Sequence, residues 1–288
     1  MDRTRRNLLI GGSMLGTLAL AGLLPGACAG RQGRKAAVRG SSPPKRPPGA
    51  PRPMLEEDIA PVLARLDAWY AAHLSNQYKF NPPATDAALD AFERRVGLKM
   101  PRAYRQLYRW HDGEESDRWG PIYGLPLLPL RHVEQEWTAW NEVLAGFNGN
   151  RYEIPGSGWP RGAVDPAYIN PRWIALTHDG SGNHIGLDFD PWPAGRRGQV
   201  ILYGRDEDVK VVLAPSLGRF LEWIAGLLES GNFRLEVEPG RQVLRPFGLK
   251  DPPTDHFHDG ARILWARPGR MADLRDRRQS RSSCHLKA

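Results

Sequence analysis

The sequence predicts an α+β fold in which N-terminal helices pack on a mainly antiparallel sheet and a C-terminal helix closes the unit. Three observations carry this expectation. Apolar residues recur at helical spacing as far as Leu144. Four short β-rich runs follow, separated by Gly, Asn, Asp and Pro turns. A last amphipathic stretch then runs from Leu217 to Leu228. The chain has 288 residues, 41% of them hydrophobic, which is enough for one sizeable core.

The elements follow in order. Ile59, Val62, Leu63, Leu66, Trp69 and Tyr70 place a helix over 58–73, with Pro61 tolerated in its first turn. Thr85 is the N-cap of a second helix with the stripe Leu89, Phe92 and Val96, and Gly97 stops it. Pro101 opens a third, with Tyr104, Leu107, Tyr108 and His111 on one face and Gly113 as its end. After a proline-broken extended segment, Val133, Trp137, Trp140 and Leu144 form a stripe of the kind that faces a core. Strands are expected at 172–177, 184–189, 199–203 and 209–213. Ser216 caps the closing helix, with Leu217, Phe220, Leu221, Ile224, Leu227 and Leu228 on its apolar face and Gly231 at its stop. Two more strands are expected, at 233–237 and 262–266.

The domain plan follows from composition. Residues 1–29 have a basic start, an apolar run from Leu8 to Leu24 and small residues after it, the pattern of a secretory signal peptide. Arg5-Arg6-Asn7-Leu8-Leu9 resembles a twin-arginine export signal. Ala27-Cys28-Ala29 fits cleavage after Ala29, and Gly26-Ala27-Cys28 resembles a lipobox that makes Cys28 a lipidated N-terminus. Localisation outside the cytoplasm follows in either case: the periplasm or the outer face of the membrane, with membrane contact only through the leader or a lipid anchor. Residues 30–53 form a Pro/Gly/Arg linker, 54–232 the domain, 233–266 a C-terminal extension, and 267–288 a basic polar tail expected to be disordered. Cys28 and Cys284 are the two cysteines, so no internal disulfide is expected.

The formal net charge of +8 is set by the ends. Residues 54–266 hold 23 Lys/Arg against 29 Asp/Glu. A nucleic-acid binder carries its basic surface on the folded domain, so this distribution argues against that class and suits a basic protein partner.

The densest polar stretch is 178–202, HDGSGNHIGLDFDPWPAGRRGQVIL. In an extended strand His184, Asp188 and Asp190 share a parity, while Ile185, Leu187 and Phe189 face the other way. Asp179-Gly180-Ser181-Gly182-Asn183 reads as a turn, so the stretch is expected to be a half-exposed hairpin without metal. Its polar face, with Asp179, Asn183, His184, Asp188, Asp190 and Trp192, is the candidate partner-binding surface. The competing reading is a metal-assisted hydrolase of envelope material using His178, Asp179, His184 and Asp188. The calcium-loop pattern fails where Pro191-Trp192-Pro193 replaces a ligand and the glycine. A second cluster, DHFHDG at 255–260, would point His256 and His258 the same way in an extended segment and is read as a solvated loop. The sequence carries no Ser/His/Asp elbow, P-loop or dinucleotide fingerprint, so no catalytic residue and no cofactor are expected.

Several pieces together resemble the SUKH superfamily, specifically its Smi/Knr type. They are Leu98-Lys99-Met100-Pro101 with Tyr104 and Leu107 up to His111-Asp112-Gly113, and Trp173-Ile174-Ala175-Leu176 leading into Asp179-Gly180-Ser181-Gly182-Asn183. Leu187-Asp188-Phe189-Asp190-Pro191, Gly198-Gln199-Val200-Ile201 and Pro215-Ser216-Leu217 with Phe220-Leu221 complete the set. The order and rough spacing hold across about 58–230, while a Trp-rich insertion at 131–170 departs from the pattern. The resemblance implies binding rather than catalysis. Its bacterial members imply toxin-neutralising immunity, its fungal relatives a scaffold or regulator of wall synthesis. The expected partner is thus a toxin domain or a cell-wall synthesis component.

Overall fold

A computed structural model describes residues 43–74, 80–114, 120–235, 248–254 and 256–266. The expected leader with Cys28, most of the linker and the basic tail lie outside the described residues. The elements are α1 (Ala60–His73), α2 (Asp86–Val96), α3 (Arg102–Trp110), α4 (Leu130–Gly146), β1 (Ser157–Trp159), β2 (Trp173–Ala175), β3 (Asn183–Asp188), β4 (Gln199–Gly204), β5 (Val209–Ala214), α5 (Leu217–Glu229) and α6 (Phe257–Ala266). Among the described residues no helix is long and apolar enough to cross a membrane.

Local chemistry explains the helix ends. Thr85 Oγ1 accepts the Ala88 amide at the start of α2, and Gly97 closes that helix in the left-handed region at φ 67°. Ser216 Oγ accepts the Arg219 amide at the start of α5. Glu57 adds to this cap, accepting the Ser216 hydroxyl at 2.8 Å and the Gly218 amide at 3.0 Å. A carboxylate there also complements the positive end of the α5 dipole.

The sheet order is β1-β5-β4-β3-β2. The pairs β2–β3, β3–β4 and β4–β5 are antiparallel, as expected, while β1 adds a parallel edge beside β5 that the sequence did not announce. Trp159, in β1, is 47% exposed, so no buried apolar run marked this strand.

The central strands are buried on both faces, which corrects the expected half-exposed hairpin: all six residues of β3 and all six of β4 are buried. One face carries Trp173, His184, Asp188 and Tyr203 and lies under α4, whose Trp140 reaches His184. The opposite face meets the layer of α1, α3 and α5, where Leu66, Tyr70, Leu107, Leu176, Phe220 and Leu221 line one apolar contact region. The Trp-rich insertion is therefore the second covering layer of the sheet.

Two other expectations change. Residues 262–266 are not a strand; they complete α6, because Phe257, Ala261, Leu264 and Trp265 fall at helical spacing and are buried together. Phe257 stacks on Tyr123 with ring centroids 4.9 Å apart, docking the extension on the core. Of the strand expected at 233–237, Arg234 forms an isolated bridge with Gly248, and the part from 236 onward lies outside the described residues. The end of the linker also joins the fold, since Arg52 bridges to Arg196 and the Arg196 guanidinium donates to the Pro53 carbonyl at 2.7 Å.

Candidate functional site along strand β3

His184 sits at the centre of the covered face and is fully buried. Its Nδ1 donates to the Thr177 carbonyl at 3.1 Å, and its Nε2 accepts the Trp140 indole N–H at 3.0 Å. This pattern holds the neutral Nδ1–H tautomer, and burial pushes the imidazole pKa down to about 4. Both ring nitrogens are engaged, so neither is available to a metal. Glu136 lies 3.6 Å from His184 Nε2, and burial raises its carboxyl above the usual range.

Asp188, at the far end of β3, is fully buried as well. Its Oδ1 accepts the Trp173 indole N–H at 3.1 Å and the Asp190 amide at 3.0 Å, while its Oδ2 accepts Gln199 Nε2 at 3.0 Å. Burial nevertheless pushes its pKa up to about 7, with the charges of Asp190 and Asp165 adding to the effect. Asp190 turns outward to Arg46, which donates to it at 2.9 Å. Burial opposes its charge, but Arg46 and Arg151 outweigh that and lower its pKa. Arg151 also pairs with the buried Asp165, whose pKa burial raises.

At the opposite end, Asp179 organises the β2–β3 turn. Its Oδ1 accepts the amides of Ser181 at 2.7 Å and Asn183 at 3.0 Å, and its Oδ2 accepts Asn183 Nδ2 at 2.7 Å. Asn183 Oδ1 in turn accepts the Asp206 amide at 2.8 Å, tying this turn to the β4–β5 turn. Burial works against the Asp179 charge, but His256, Asn183 and the backbone amides overcome it and hold its carboxyl well below the usual range. An open depression of about 570 Å³ lies beside this turn, lined by Asp179, Asp206, Glu207, Asp208, His256, Asp259 and Arg262 among others.

The geometry corrects the expected shared polar surface. His184 and Asp188 do share a face, but α4 and the 163–173 segment cover it, and Asn183 and Trp192 are also buried. The hydrolase set does not converge either: Asp188 stands about 14 Å along the strand from His184, at ~3.4 Å per residue. The expected solvated loop at 255–260 is corrected at Phe257 and His258, while Asp259 stays exposed. His258 and Phe257 are buried in α6 because the helix packs on the core, whereas His256 remains exposed and Asp255 lies outside the described residues. The structure brings Asp179, His256 and His258 together, with one ligating atom of each within 4.8 Å of the others. Trp140, Glu136, Arg151 and Asp165, which complete these networks, come from the insertion. Of these only Trp140 lay in the aromatic stripe the sequence showed; Glu136, Arg151 and Asp165 belong to no motif.

The SMI1 / KNR4 family (SUKH-1) profile matches residues 83–223, from just before α2 into α5 and across the insertion. Curated relatives agree. The "Cell wall biosynthesis/cell cycle regulator smi1" of Schizosaccharomyces pombe is 31% identical over 214 residues, covering 70% of this chain and 42% of the relative. The "Cell wall assembly regulator SMI1" of Saccharomyces cerevisiae is 29% identical over 240 residues, covering 69% and 48%. The "Glucan synthesis regulatory protein" of Neurospora crassa is 28% identical over 232 residues, covering 69% and 44%. The chain thus spans less than half the length of these relatives, which are named as regulators rather than enzymes. By sequence, the stretch 83–223 is a domain of the SMI1 / KNR4 (SUKH-1) family.

Proposed function

We propose that this chain is a non-enzymatic protein-binding module that regulates cell-wall assembly and works outside the cytoplasm, exported by its basic and apolar leader. The observation that carries this reading is its similarity to relatives named as cell-wall and glucan-synthesis regulators. The internal chemistry is in keeping with it. The polar side chains of β3 are spent on bonds that hold the fold, so recognition falls to the rim. Asp206, Asp208 and Asp259 are exposed around the depression beside the Asp179 turn and suit a basic segment of a partner. The relatives' names favour a wall-synthesis component over a toxin domain.

The test is affinity capture from the native host. The full chain with its leader is tagged at the C-terminus and lightly crosslinked, and the envelope fraction is examined. One dominant wall-synthesis protein is expected in amounts near the bait, with less recovered by the triple variant Asp206→Asn, Asp208→Asn, Asp259→Asn. Capture of a toxin would replace the wall-regulator reading with immunity, and no enriched protein would remove the binding reading. Retention of the chain in the cytoplasm would remove the export reading.

A further inference from the structure

We infer that Asp179, His256 and His258 form a binding site for a divalent metal ion of the zinc class, which clamps α6 to the β2–β3 turn. The first support is convergence: one carboxylate and two imidazoles from distant parts of the chain present donor atoms within 4.8 Å of one another. The second is independent. His258 is fully buried, and neither of its ring nitrogens has a hydrogen-bond partner among the described residues. Protein interiors rarely leave such groups unsatisfied. Glu207 is its nearest carboxylate, but at 3.8 Å from Nδ1 it is too far to bond and is taken by Arg262.

The surroundings fit a metal ligand set. Asp179 is held by the Ser181 and Asn183 amides and by Asn183 Nδ2, the kind of outer support that orients a ligating carboxylate. Two imidazoles with one carboxylate select zinc-class ions over calcium or magnesium, which take all-oxygen sets. Tetrahedral donors on ~2.0–2.1 Å bonds lie ~3.4 Å apart, so donors spread over 4.8 Å must close by up to about 1.4 Å. The His256 side chain is 46% exposed and has room to make that movement. His256 and His258 lie beyond the matched stretch 83–223, so the site joins the C-terminal extension to the family domain. It does not depend on the partner reading, since metal binding is measured without a partner.

The full chain is stripped with chelator, then titrated with Co²⁺ by visible absorption and with Zn²⁺ by calorimetry. One equivalent is expected, with the intense bands of tetrahedral cobalt and a zinc-dependent rise in melting temperature. His256→Ala changes an exposed side chain and should still fold; it should weaken zinc binding at least about tenfold, the lower bound set by losing a mere outer-shell partner. Asp179→Asn should act in the same direction, whereas Cys284→Ser, which tests chelation by the tail, should leave affinity unchanged. Absence of the cobalt bands, zinc affinity unchanged in His256→Ala, or binding that disappears with Cys284→Ser would each overturn the site.

Discussion

Asp188 offers a quantitative test of the covered face of the sheet. The carboxyl is fully buried, and burial moves its pKa from 3.8 to about 7 in the folded chain. The sign follows from linkage. A carboxyl whose folded pKa is raised holds its proton longer when folded, so its stabilising contribution is complete below 3.8 and lost as the pH climbs through 7. With about 1.4 kcal/mol per pH unit inside that window, the loss between pH 5 and pH 8 comes to about 2–3 kcal/mol. Asp188→Asn removes the titration. It also turns an amide N–H toward Gln199 Nε2, where Oδ2 now accepts at 3.0 Å, but that penalty does not vary with pH and cancels in the comparison. Urea unfolding of both proteins at pH 5 and pH 8 gives the gap between them at each pH. The wild-type chain should lose about 2–3 kcal/mol relative to the variant on going from pH 5 to pH 8. A gap that stays constant, or moves the other way, would refute the argument that burial holds the Asp188 proton far above the ordinary carboxylate range.

Two further perturbations probe the same core. Trp140→Phe keeps an aromatic ring but deletes the N–H that His184 Nε2 accepts at 3.0 Å, leaving a buried acceptor unpaired. A loss of about 1–3 kcal/mol is expected in urea unfolding, and wild-type stability would show that α4 does not depend on this bond. Gly186→Ala would place a Cβ 2.2 Å from the Ile174 carbonyl oxygen on the neighbouring strand. Strands β2 and β3 would have to separate, at a cost of about 1–3 kcal/mol or more, and an unchanged melting temperature would refute their register.

What was legible in the sequence was mostly what neighbours along the chain decide. Thr85 and Gly97 bracket α2 as expected because capping and left-handed termination involve residues only a turn away. Ser216 begins α5 for the same reason, although its partner Glu57, far back in the chain, left no local trace. The four antiparallel strands also appeared in place, because turn residues separate β-rich runs. The failures share a different cause. His184, Gly186 and Asp188 alternate with Ile185 and Leu187, and alternation normally marks one wet face. Here the polar residues are paired internally by Trp140, Trp173 and Gln199, so the same pattern lies under a helix. Ile263-Leu264-Trp265 looked like a strand because three apolar residues in a row carry no period, and only the docking of Phe257, Ala261 and Trp265 on the core selects the helix.

The candidate site divides along the same line. The sequence alone determined the types of the elements from α1 to α5 apart from β1, the capping chemistry of α2 and α5, the family resemblance and the presence of two conspicuous His/Asp clusters. Each of these depends on residue identity and short spacing. Tertiary structure decided which polar groups remain accessible. It spent His184 and Asp188 on internal hydrogen bonds, left Asp206, Asp208 and Asp259 on the rim, and brought His256 and His258 to Asp179. Burial and convergence depend on which surfaces meet when the layers close, and residues from α4 and α6 that cover or complete a strand leave no mark in the strand's own sequence.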